Sequence, residues 1–166
     1  VFPQLTPELL EVLAHPATHK VIATIDEDGS PHAVPSPFLH ARPDGLLVHY
    51  ELLETSATNR NLLRGLWFDR KFAVTLVGAL GQTFVIKAVP AKAEISGPAF
   101  GRAFESVRSV LGDADLAAVW LLRPQAVIDE TYTTRKRDEE DRHPFSIHLD
   151  RLLVPRDQAT SDRTQP

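Results

Sequence analysis

The sequence contains no cysteine. That excludes a disulfide framework, a thiolate metal site and a cysteine nucleophile. It suits a reducing compartment, and the expected location is cytoplasmic. No apolar run approaches the ~18 residues that a membrane-crossing helix needs. The opening residues, "VFPQLTPELL", lack the charged-then-apolar layout of a signal peptide. Positive charge is not in excess: 18 Lys and Arg stand against 22 Asp and Glu, a net charge of −4. A nucleic-acid binder should show a basic face, so neither nucleic acid nor membrane is an expected partner. Missing too are a phosphate-cradling Gly-rich loop, a dinucleotide Gly pattern, a strong Ser/His/Asp signature and a His-Glu-x-x-His motif. The seven histidines show no matched carboxylate cluster, so no metal site is expected.

What is present suffices for one ordinary domain. The 166 residues are 43% hydrophobic and 24% charged, enough to bury a core. "LTPELLEVLAHP" predicts a first helix, with Thr6 as N-cap, Pro7 in the first turn and Pro16 as its end. "KVIATID" predicts a buried strand. "DEDG" and "RPDG" lie between apolar runs and predict hairpin turns. "PHAVPSPFLH" reads as extended, "LLVHY" as a third strand, and Thr58 to about Leu66 as a short helix. "KFAVTL" and the long "TFVIKAVPAKAEI" follow as strands. "FGRAFESVRSVLG" has apolar positions Phe100, Ala103, Phe104, Val107, Val110 and Leu111 at helical spacing, with Gly112 as its stop. "AAVWLLRPQAVIDETY" reads as two short strands broken at Arg123-Pro124, "TTRKRDEEDRH" as a solvated charged loop, and "FSIHLDRLLV" as a last strand. The expected domain spans 1–154, followed by a disordered tail, 155–166, nearly devoid of apolar groups. The class is antiparallel β with few helices, a sandwich or barrel.

Two stretches carry candidate chemistry. The corner "ETSATNRN" opens a helix. Helix N-termini attract anions, and Ser56, Thr58, Arg60 and Asn61 add hydroxyl, amide and guanidinium donors. On these residues alone, the plainer reading is that Thr58 is only an N-cap. Pro35 and Pro37 lie two apart in an extended segment and donate nothing to a ladder. They mark either a protected edge strand or a split in a barrel that leaves room for a flat ligand.

The succession "VIATIDEDGSPHAVPSPF", "DGLLVHYELLETSATNRNLL", "FAVTL" resembles the pyridoxamine 5'-phosphate oxidase-like FMN-binding split-barrel family. The resemblance covers about Lys20 to Leu76. It implies a six-stranded antiparallel split barrel with flanking helices, a homodimer, and FMN at the subunit interface. It further implies that Ser56, Thr58, Arg60 and Asn61 meet the phosphate, and that Pro35, Ser36, Pro37 and Phe38 lie along the ring. His49, Tyr50 and Glu51 would stand near the ribityl chain, and Gln82 would reach the partner's flavin. Thr58 stands where many members carry a phosphate-binding lysine. The Arg-rich substrate motif of the oxidases is echoed only by "DRLLVP", so oxidation of pyridoxamine phosphate itself is not expected. The implied activity is an FMN-dependent oxidation or reduction of a small-molecule substrate. A flavin carrier or sensor, a haem binder using His49 or another histidine as axial ligand, and a deazaflavin enzyme are the alternatives.

Overall fold

The structure, a computed structural model, describes residue 3 and residues 5–143. The chain divides into two units, Val1–Thr131 and Tyr132–Pro166. The expected last strand "FSIHLDRLLV" and the expected tail lie outside the described residues.

The first unit holds three helices, α1 (Pro7–Ala14), α2 (Ala57–Phe68) and α3 (Pro98–Leu111). Its strands are β1 (His19–Ile25), β2 (Pro31–Pro35), β3 (His40–Ala41), β4 (Leu47–Glu51), β5 (Phe72–Val77), β6 (Thr83–Glu94) and β7 (Ala118–Asp129). They form one sheet in the order β2-β1-β5-β6-β7-β4-β3, every pair antiparallel. Among the described residues the sheet has seven strands rather than six, and one of them is the two-residue β3, which pairs with β4 through His40 and Ala41.

The predicted hairpins form where the turn residues stand. Gly29 and Gly45 adopt φ of 87° and 84°, a left-handed region that costs glycine nothing. Asp26 N–H closes the first turn on Ser30 O at 2.9 Å, and Arg42 N–H closes the second on Leu46 O at 2.7 Å. Thr6 caps α1 by accepting from Leu9 N–H at 3.3 Å.

One apolar cluster lies inside the curl of the sheet. It joins Leu9 and Leu13 of α1, Leu62 of α2, Val74 and Leu76 of β5, Ile86 of β6 and Trp120 and Leu122 of β7. A second lies on the other face, where Ala103 and Val107 of α3 meet Val48, Val119 and Leu121. β4 and β7 are covered on both faces, so they read as continuous apolar runs instead of alternating ones. α2 sits close on β6: a Cβ at Gly65 would come 2.9 Å from Pro90 Cγ.

Four expectations are corrected. β7 runs unbroken through Arg123-Pro124, because Pro124 falls at a register shift, opposite Ala88, beside the Lys87–Ala126 pair. A bulge tolerates the missing N–H of proline. β2 ends at Pro35, and residues 36–39 turn, with Leu39 N–H on Ser36 O at 3.1 Å. The two prolines therefore do not share one strand. α2 begins earlier, with Ser56 as N-cap accepting from Asn59 N–H at 2.9 Å. In the second unit, the charged stretch is a helix, α4 (Tyr132–Arg142), with no buried residue. Its Arg, Lys and Glu are strong helix formers. Lys136 and Glu140 form an i,i+4 ion pair at 3.9 Å, which adds a few tenths of a kcal/mol.

Candidate functional site

β2 and β4 are not neighbours in the sheet, yet their residues meet in space. Ser36, one residue past β2, places Oγ 2.7 Å from His49 Nδ1 on β4. The curled sheet is thus closed at this point by a side-chain bond instead of a ladder. Lys20 of β1 supports the same closure by donating Nζ to Leu39 O at 2.9 Å.

A cleft of about 310 Å³ lies on this seam, at the small end of the range for ligand sites. Pro35, Pro37, Phe38, Tyr50 and Leu52 give it apolar walls, and Ser36, His49, Glu51, Ser56 and Thr58 give it polar groups. The Phe38 and Tyr50 rings stack at 5.9 Å, and His40 meets Tyr50 edge-on at 5.4 Å. The start of α2 is pinned to the barrel by Trp120 Nε1, which donates to Asn59 Oδ1 at 2.9 Å. That bond fixes the helix N-terminus, with Ser56 and Thr58, against the cleft.

Ser36, His49 and Glu51 form a buried polar chain. They are 1%, 5% and 7% exposed, so their hydrogen bonds are made inside the protein or not at all. His49 Nε2 lies 3.5 Å from Glu51 Oε2. That is long for a hydrogen bond, and Nε2 has no other partner. Burial pushes the Glu51 carboxyl up, but His49, the Leu53 N–H at 3.2 Å and Ser56 outweigh it. Its pKa falls below the ordinary glutamate value, so it is a carboxylate at neutral pH. Burial raises the Tyr50 phenol, which stays protonated.

Nine of the twelve residues picked from the sequence line this one cleft: Pro35, Ser36, Pro37, Phe38, His49, Tyr50, Glu51, Ser56 and Thr58. Three do not. Asn61 turns to the end of β1, donating Nδ2 to Thr24 Oγ1 at 2.9 Å and to Asp26 Oδ1 at 2.7 Å. Both amide hydrogens are thereby used. Arg60 is exposed and gives its guanidinium to Thr55 O. Gln82 lines a separate hollow between α1 and the β5–β6 turn, with Glu8, Glu11 and His15. The Ser36–His49 link was not foreseen. Thirteen residues and a hairpin separate the pair, and no short motif announces it.

No protein-family model matches the chain, and no curated protein does. Solved structures do. HupZ from Group A Streptococcus superimposes with a TM-score of 0.63 at 15% identity, over 76% of this chain and 94% of its own. An FMN-binding protein from Syntrophomonas wolfei gives 0.57 at 14% identity, over 73% of this chain and 85% of its own. A pyridoxamine 5'-phosphate oxidase candidate from Lactobacillus delbrueckii gives 0.54 at 19% identity, over 75% and 93%. The chain has the pyridoxamine 5'-phosphate oxidase-like split-barrel fold. In this split barrel the cleft and the split coincide. The Ser36–His49 bond marks where the sheet fails to close through its backbone.

A flavin can be tested against these residues. The apolar walls suit a flat ring. The N–H groups of Ala57 and Thr58 belong to the first turn of α2, where no intrahelical acceptor exists, and Ser56 and Thr58 stand beside them. The group fits; among the described residues no Lys or Arg lines the cleft, and Glu51 does.

Proposed function

We propose that the chain binds FMN in the seam cleft and acts as an FMN-dependent oxidoreductase on a small molecule, as a cytoplasmic homodimer with the flavin at the subunit interface. The observation that carries this is the convergence of nine residues, picked on independent stretches, on one cleft at the split of the barrel. The FMN-binding neighbour of the same fold supports the choice of ligand. Pro35, Pro37, Phe38 and Tyr50 would flank the ring. The first turn of α2, with Ser56 and Thr58, would take the phosphate through N–H and hydroxyl donors. When bound, FMN supplies the hydride or electron chemistry, and the protein positions it. No side-chain nucleophile is then required.

A haem reading draws less support, because both His49 nitrogens face protein groups, Ser36 and Glu51. An absorbance spectrum of the purified protein, with mass analysis of the released cofactor, tests the proposal. A flavin spectrum and the mass of FMN are expected. A Soret band, the mass of a deazaflavin, or failure to bind added FMN at micromolar concentration would overturn it. Turnover of the bound flavin by an added reductant and small-molecule acceptor separates an enzyme from a carrier.

A further inference from the structure

The seam cleft is short of positive charge. The titratable side chains that face it are His32 on β2 and His49, Tyr50 and Glu51 on β4. Lys20 on β1 and His40 on β3 lie outside the lining: Lys20 gives one N–H to Leu39 O, and His40 turns Nδ1 to Phe38 O at 2.9 Å. Among the described residues, an anion entering the cleft therefore meets the buried Glu51 carboxylate and no lysine or arginine of the lining. Like charges in a partly desolvated site repel strongly.

His49 is placed to resolve this. In its neutral form, a bare Nε2 facing a carboxylate would be unfavourable. Nε2 therefore carries the hydrogen, and the Ser36 hydroxyl donates to Nδ1. In the charged form, Nδ1–H donates to Ser36 Oγ, and Nε2–H still faces Glu51. A serine hydroxyl both donates and accepts, so it serves both states after turning over. Proton uptake by His49 keeps the Ser36–His49 bond and turns the Ser36 hydroxyl hydrogen away from Nδ1; Ser36 lines the cleft, where an anionic ligand would accept it.

We propose that His49 is the switchable counter-cation of the seam cleft: an anionic ligand binds together with one proton, which His49 takes up between Ser36 and Glu51. The proton comes from solvent. One N–H bond forms at Nδ1, and no bond to the ligand is made or broken. The ligand class is a compound bearing a phosphate or carboxylate. The inference rests on the cleft being the ligand site and not on the ligand being a working flavin.

Calorimetric titration of the full chain with FMN and with riboflavin, from pH 7 to 9, tests it. The FMN phosphate is itself almost fully ionised across this range. Where free His49 is neutral and bound His49 is charged, FMN affinity should fall by up to about tenfold per pH unit. Riboflavin, which carries no phosphate, should show no slope. His49→Asn should bind FMN weakly and without slope. Glu51→Gln should also lose the slope, yet bind FMN more tightly than the wild type at pH 9, because the repelling carboxylate is gone. These opposite directions separate the charge argument from simple damage to the cleft, and circular dichroism confirms that both variants fold. A slope that survives His49→Asn, or a Glu51→Gln variant as weak as His49→Asn, would overturn the proposal. If neither flavin binds, the flavin reading fails by itself. Nitrogen-15 shifts of His49 in the ligand-free chain then decide: the Nε2–H tautomer with a hydrogen-bonded Nδ1 supports the switch, and the Nδ1–H tautomer refutes it.

Discussion

Replacing Asn61 by Ala should unfold the helix-to-barrel contact without touching phosphate recognition. The side chain is 7% exposed. Its amide ties α2 to β1 through Thr24 Oγ1 and to the following turn through Asp26 Oδ1. A neutral hydrogen bond contributes about 0.5–1.5 kcal/mol and a bond to a charged group about 1.5–3 kcal/mol. The variant should therefore lose about 2–4 kcal/mol, part of it from the Thr24 hydroxyl, which is 3% exposed and loses a partner. For a chain of this size, that lowers the melting temperature by roughly 5–15 °C. The assay is a thermal melt followed by circular dichroism, with urea denaturation to give the free energy. A double-mutant cycle with Thr24→Val should return a coupling of about 1 kcal/mol, since the two side chains touch. Asn61→Asp should be worse at neutral pH, where it sets a second carboxylate against Asp26, and should recover as pH falls. If FMN binds, the ratio of FMN to riboflavin affinity should be unchanged in Asn61→Ala. A variant of wild-type stability that selectively loses FMN would refute the reasoning. Asn61 would then be a phosphate ligand whose amide swings away from Thr24 and Asp26.

Arg60→Ala should change FMN affinity by less than about threefold, because its guanidinium is exposed and bonded to Thr55 O; a calorimetric loss of tenfold or more would place it on the ligand. Ser56→Ala should lower stability by about 1 kcal/mol through loss of the α2 cap, read as a urea midpoint shift at constant slope. Leu63, Trp67 and Phe68 of α2 are 47%, 75% and 70% exposed, a patch that a soluble monomer rarely shows. The chain should therefore run as a dimer in light scattering, and Trp67→Glu should shift it to monomer. The folded pKa of Glu51 lies below its unfolded one, so its stabilising effect is present at neutral pH and lost as pH falls below the ordinary glutamate range, about 4.3. The gap in melting temperature between wild type and Glu51→Gln should accordingly close in acid, and a gap constant from pH 7 to pH 3 would contradict the assignment.

Much of the barrel was legible because local signals agreed with the final packing. The Asp-Gly turns, the Thr6 cap and the three-four spacing of α3 each state their element within a few residues. The apolar stripe of α3 serves the chain's own sheet: Ala103 and Val107 pack on β4 and β7, while Val110 and Leu111 stay well exposed. Signals that depend on partners were not legible. Pro124 ends a strand in isolation but is accommodated by a bulge against β6. The choice of Ser56 over Thr58 as N-cap turns on where the chain leaves β4, and Thr58 is buried at 2% exposure instead. The split between Asn61 and Thr58 is a matter of partners, not of helix faces. Residues 58 and 61 are three apart, so only about 60° separates them around the axis, and both belong to the buried face of α2. Thr58 borders the cleft, and Asn61, one turn further along, meets Thr24 and Asp26. Periodicity gives the angle between them, but only the docked helix says which of them borders the cleft.

The barrel closes at one point through a serine hydroxyl and an imidazole, and this has a kinetic consequence. A meander of β5, β6 and β7 pairs strands close in sequence, whereas β4 must cross to β7 over more than sixty residues. The link from β2 to β4 is local in sequence, through residues 36–39, β3 and the Ser36–His49 bond. Non-local closures come late because their loop entropy is lost before contacts repay it. The β4–β7 ladder should therefore be the last to form, while the seam, which joins the edge strands β2 and β3 to the rest without a ladder between β2 and β4, should be the first part to open. In hydrogen–deuterium exchange, the amides of β2 and β3 should exchange through local openings, while those of β5 and β6 wait for global unfolding. A ligand in the cleft would then act as a clasp. Its binding energy would appear first as slowed exchange at the two sheet ends, before any change in the melting of the whole.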